Sequence, residues 1–150
     1  MAESYWAILW GGLVVGVLDL TAAFITSGVR GRNPIWVTQS IASGLLGAEA
    51  FKGGIRTAAL GVLCHFFIAF TATTVYYATS LKFNFLVEQT FVCGVLYGVA
   101  VYGFMYFIVL PRSAFPFKIT FTPAVLANGI TIHIFCVGLP IALAVRWFAK

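Results

Sequence analysis

Charge is what this sequence has least of: in 150 residues Lys and Arg number nine, Asp and Glu four, and charged residues make up 9%. Soluble domains carry about 25%. A chain so poor in charge cannot cover its own surface with polar groups, so a soluble globule is excluded and most of the surface must meet hydrocarbon. Cysteine is scarce too. Cys64, Cys93 and Cys136 are odd in number and fall in apolar stretches, which implies buried thiols and no disulfide framework. The basic residues are scattered over loops and ends, so nucleic acid is not an expected partner. There is no nucleophile elbow, phosphate loop, pair of catalytic carboxylates, H-x-x-x-H or C-x-x-C motif, and an enzyme is the function class with least support. Glu3 stands where a signal peptide carries Lys or Arg, and the apolar run behind it is long enough to span, so an uncleaved first helix is expected.

What is present is hydrophobicity, at 61% of the chain. At about 20 apolar residues per crossing, the pattern predicts an all-α integral membrane four-helix bundle forming one domain over 1–150, with spans at about 5–27, 56–80, 85–110 and 123–148. Local signals set the ends. Ser4 is a candidate N-cap and Gly28 a left-handed stop for the first span, and the Gly53-Gly54 break precedes the second. Asn84 caps the third, with Glu88 and Gln89 in its first turn, and Pro111 stops it. Thr122-Pro123 opens the fourth, in which Pro140 implies a kink.

Between the first two spans, Asn33-Pro34 starts a segment, about 34–48, that is too short and polar to cross. Val37, Ile41, Leu45 and Ala48 recur at helical spacing, which predicts an additional amphipathic helix, interfacial or re-entrant. Arg30, Arg32, Lys52, Arg56, Arg112 and Lys118 fall on one side of the bundle, against Lys82, Arg146 and Lys150 on the other. The positive-inside rule then puts both long connections in the cytoplasm and both termini outside, with Tyr5, Trp6, Tyr76, Tyr77 and Trp147 as an outer aromatic belt.

An ionisable group inside a span costs about 3 kcal/mol on insertion scales, so each one needs a reason. Asp19 falls about three residues past the middle of the first span, His65 about three before the middle of the second, and His133 two or three before that of the fourth. Consecutive spans run in opposite directions, so the three share one layer about 4 Å to the cytoplasmic side of the midplane. Tyr102 reaches nearly the same depth, with Met105 one turn deeper. Small residues, which mark close helix approach in lipid, share the same faces. Asp19 follows Gly12 and Gly16; His65 lies with Ala58, Gly61, Ala69 and Ala72; His133 lies with Gly129, Cys136, Pro140 and Ala144; the third span has Gly94 and Gly98.

Four uses of this layer are open. It is polar glue, with Asp19 bonded to His65 or Tyr102 and His133 to a backbone carbonyl. It is a titratable relay, since imidazole ionises near neutrality. It is a divalent metal site of His65, His133 and Asp19, with Cys136 as a sulfur ligand. Or it is a bis-histidine haem site between His65 and His133 on diagonal helices.

The run Gln39-Ser40-Ile41-Ala42-Ser43-Gly44-Leu45-Leu46-Gly47, followed by Ala50-Phe51-x-Gly53-Gly54 and Gly61-x3-His65-Phe66, resembles a family of small, uncharacterised bacterial four-helix inner-membrane proteins. Tyr97-Gly98, Met105, Pro111 and the stretch from His133 to Ala142 extend the likeness over most of the chain. In layout, with His in alternate helices and a Gly-rich third helix, the chain is distantly similar to the YagU-like inner-membrane proteins, although shorter and without their long soluble-side loop. The resemblance implies a bacterial plasma membrane and carries over no activity and no catalytic residue. The expectation is a non-enzymatic, multi-pass inner-membrane protein without a cofactor, partnered by the lipid bilayer and acting as a homo-oligomer or an accessory subunit of a membrane complex. A small proton or ion channel or transporter built on Asp19, His65 and His133 is the alternative, and metal or haem binding through His65 and His133 the second.

Overall fold

A computed structural model describes residues 2–148, with side chains from Tyr5 onward. Four of its helices are long and apolar enough to cross a membrane: Tyr5–Gly28, Gly54–Ser80, Thr90–Arg112 and Pro123–Phe148, the first to fourth spans. In finer detail, α1 (Ala2–Gly28) is followed by α2 (Pro34–Leu46), a 3-10 turn (Gly47–Lys52) and α3 (Gly54–Ser80). A short α4 (Phe85–Glu88) precedes the third span, which consists of α5 (Thr90–Phe104), a π turn (Met105–Val109) and α6 (Leu110–Arg112). The fourth is α7 (Pro123–Ile132), a π turn (His133–Gly138) and α8 (Leu139–Phe148). No strand occurs among the described residues. Large apolar side chains such as Val17, Leu63, Phe91 and Phe135 stand exposed along all four spans, a surface that suits hydrocarbon.

Two helix starts follow their capping signals. The Asn33 Oδ1 accepts from the Trp36 N–H at 2.8 Å and the Thr122 Oγ1 from the Val125 N–H at 3.3 Å, each ahead of a proline in the first turn. Other ends differ from expectation. The Ser4 side chain lies outside the described residues, and the left-handed glycine after α1 is Gly31, with φ of 75°, rather than Gly28. Asn84 is helical and its side chain makes no cap bond. Gln89, at φ −101° and ψ 46°, interrupts the chain, so Glu88 closes a short helix and the span begins at Thr90.

Pro111 does not stop the third span, nor does Pro140 break the fourth, and a π turn precedes both. The Leu110 N–H bonds to the Met105 carbonyl and the Leu139 N–H to that of Ile134, five residues back. The wider turn makes room for the proline ring and absorbs its missing donor. It also carries one extra residue, which moves every later position round by one. After His133 the buried stripe therefore runs through Val137, Ile141 and Val145 in place of the expected Cys136, Pro140 and Ala144.

The first span packs against the second and fourth, the third against the fourth, and α2 against α3. Glycines set these approaches. Gly12 and Gly16 are covered by the rings of Phe70 and Phe66, while a Cβ on Gly98 would meet the His133 carbonyl oxygen at 2.5 Å and the Ile134 Cα at 2.8 Å. A Cβ on Gly138 would run into the backbone of Gly94 and Gly98, and Gly94 itself faces Leu139 and Ala142. Spans two and three join near the Ser80–Thr90 connection. There the Tyr76 and Tyr97 rings meet edge-on at 4.9 Å, the Tyr97 hydroxyl donates to the Ala72 carbonyl at 2.7 Å and that of Tyr76 to Leu86 at 3.0 Å. Tyr76 is thus a core residue, 2% exposed, rather than part of an aromatic belt; Tyr5, Trp6 and Trp147 are exposed.

The helix between the first two spans turns its polar side inward. Val37, Thr38, Gln39, Ala42 and Ser43 are its buried residues, whereas Leu45 and Ala48 are exposed. The expected apolar stripe is split because the polar groups find partners in the second span: the Gln39 Nε2 donates to the Gly54 carbonyl at 3.0 Å and to the Thr57 Oγ1 at 3.3 Å. The Thr38 carbonyl sits where Gly61 leaves no room for a side chain. A buried polar group is tolerated once it is hydrogen-bonded.

Candidate functional site

Away from the Tyr76–Tyr97 contact, the second and third spans part around an open-sided cavity of about 970 Å³. Val15, Asp19 and Ala23 of the first span line it, with His133 and Val137 of the fourth. Met105 and Tyr106 come from the third span, while Leu63, His65 and Phe67 come from the second. The α2 helix and the loop after Arg112 form its floor. They are tied together by the Ala114 N–H donating to the Gly44 carbonyl at 2.9 Å, and by Trp36, Phe51 and Phe117, whose ring centroids lie 5.5 to 6.0 Å apart.

Inside, Asp19 and His65 stand side by side. The His65 Nε2 is 3.0 Å from the Gly16 carbonyl and 4.0 Å from the Asp19 Oδ2. A carbonyl can only accept, so Nε2 carries the hydrogen, and in the neutral ring Nδ1 keeps the lone pair. Gly16 therefore does two things: lacking a side chain, it admits Phe66, and its carbonyl orients His65. The two side chains are 12% and 22% exposed.

His133 occupies another wall. Its Nδ1 donates to the Gly129 carbonyl one turn back, at 2.9 Å, which leaves Nε2 as the free nitrogen. Its ring stands edge-on to Tyr102 at 5.2 Å, and Tyr102 stacks on Tyr106 at 4.4 Å. Tyr102 is 2% exposed, its ring lies over Gly129, and its hydroxyl has no partner among the described residues. It packs behind His133, and the neighbour of Asp19 is His65. Cys136, carried round by the π turn, does not line the cavity.

Among the described residues no group of three His, Cys, Asp or Glu side chains is close enough to hold a metal ion. The bis-histidine haem pairing fits no better, since the His65 Nε2 is spent on the first span rather than turned toward His133.

Arg30, Arg32 and Lys118, which enter the topology count as cytoplasmic cations, all line this cavity. The Arg32 guanidinium lies over the Trp36 ring at 4.3 Å. Ion pairs among the described residues are Lys52–Glu49 and His65–Asp19, so none of the described carboxylates is paired with these three. The signal was present in Arg30-x-Arg32 directly after an apolar span and in a cation following Phe115-Pro116-Phe117, but only the fold brings the two loops together.

Four apolar helices packed on glycines beside a largely apolar cavity are compatible with a multi-pass helical membrane protein. No family model matches the chain, and neither a curated protein nor a solved structure matches it.

Proposed function

We propose that this protein is a small, non-enzymatic transporter of the bacterial inner membrane, with the cavity as its binding site and the Asp19–His65 pair as its protonatable element. The observation that carries this reading is a cavity of about 970 Å³ bearing an acid and two histidines at mid-span. Small-molecule sites occupy about 300 to 1,000 Å³, and an ionisable residue inside a span is a functional residue by default. The excess of Lys and Arg beside the floor supports a cytoplasmic floor and termini outside, with α2 lying at that face as a re-entrant element.

A role as a homo-oligomer or accessory subunit has less behind it. The glycines that suggested it, Gly12, Gly16, Gly61, Gly94, Gly98 and Gly129, are each covered by residues of the same chain. The reading is tested in proteoliposomes on a solid support. A pH jump is expected to evoke a current in the wild type that falls at least tenfold in Asp19→Asn, with the unfolding temperature unchanged. Absence of current under proton, sodium, potassium and chloride jumps would withdraw it.

A further inference from the structure

We infer that the cavity takes a lipid phosphate from the bilayer, with the phosphate at Arg30, Arg32 and Lys118 and the hydrocarbon chain leaving between spans two and three. The inference rests on the cavity being the working site. Three observations point the same way. The three cations, all exposed, line one cavity, and no described carboxylate lies within salt-bridge reach of them. A phosphomonoester carries about −1.5 to −2 charges at neutral pH, and guanidinium forks suit its oxygens. The cavity wall also continues onto the apolar exterior: Leu63 and Phe67 line it while being 68% and 74% exposed. A site for a soluble anion would have no use for a side open to hydrocarbon.

The third observation is depth. Arg30 follows the end of α1 at Gly28, and from Asp19 to Gly28 the helix advances about 14 Å at 1.5 Å per residue. The backbone that carries Arg30 and Arg32 therefore lies toward the floor, below the level of Asp19. Ile41, Val109 and Leu110 add apolar lining to the same cavity, where an alkyl chain would lie.

The experiment uses the full chain in phosphatidylcholine nanodiscs with hexadecyl phosphate, hexadecanol and inorganic phosphate as probes, read by native mass spectrometry. Hexadecyl phosphate is expected to bind one per chain, about tenfold more weakly for each cation removed in Arg30→Gln, Arg32→Gln and Lys118→Gln. Lys118 is an exposed loop residue, so its variant decides the matter if the arginine variants fail to fold. Equal binding by all variants, or equal binding of hexadecanol, overturns the proposal. Displacement by inorganic phosphate at matching concentration overturns the lipid source. Asp19→Asn is expected to keep hexadecyl phosphate while losing the pH-jump current. Binding in a wild type that shows no current would therefore retire transport and leave the ligand assignment standing.

Discussion

Near the Ser80–Thr90 connection the third and fourth spans touch backbone to backbone through Gly94, Gly98 and Gly138, and tyrosine hydroxyls tie spans two and three together. At the opposite end the same second and third spans part around a cavity; Gly28, Gly44 and Gly54 there face open space or ordinary contacts, while Gly61 still lets the Thr38 backbone of α2 close on the second span. One half is held by close packing, as lipid requires where no hydrophobic effect drives helices together. The other half gives up that packing between spans two and three and places its polar and charged side chains around the gap.

The sharpest way to break the contrast is Gly138→Val. Its side chain would enter the backbone of the third span, and a loss of about 3 kcal/mol or more is expected, read as failure to recover folded protein in detergent. Next comes a pair of tyrosines. Tyr97→Phe removes a hydrogen bond between spans and should cost about 0.6 to 1.7 kcal/mol in unfolding assays. Tyr102→Phe removes a hydroxyl that has no partner among the described residues and should cost nothing measurable. If the two lose equally, the tight half is not where the bundle's cross-bonding resides. The smallest effect is expected for Gly44→Ala, whose added methyl meets only Ser113 at 3.9 Å. A loss of stability above about 0.5 kcal/mol, the range of ordinary surface substitutions, would mean that the cavity floor is as tightly packed as the far end.

The spans were legible because length and hydropathy are properties of the chain alone, and Thr122 and Asn33 could be read because a cap and its N–H are neighbours in sequence. Three things were hidden for physical reasons. A π turn has no composition of its own, and the one-residue shift it introduces after His133 sent Cys136 away from the buried face. The polar side of α2 has the same pattern whether it faces water or a helix, and only the Gly54 carbonyl and Thr57 decide between them. The meeting of Asp19 with His65 follows from depth and a shared small-residue face, whereas the addition of Arg30, Arg32 and Lys118 needs two loops more than 80 residues apart in the chain to close over one space.

The bond from Ala114 to Gly44 and the aromatic cluster of Trp36, Phe51 and Phe117 join those two loops without any covalent link between them. The floor is in effect one plate assembled from two pieces of chain.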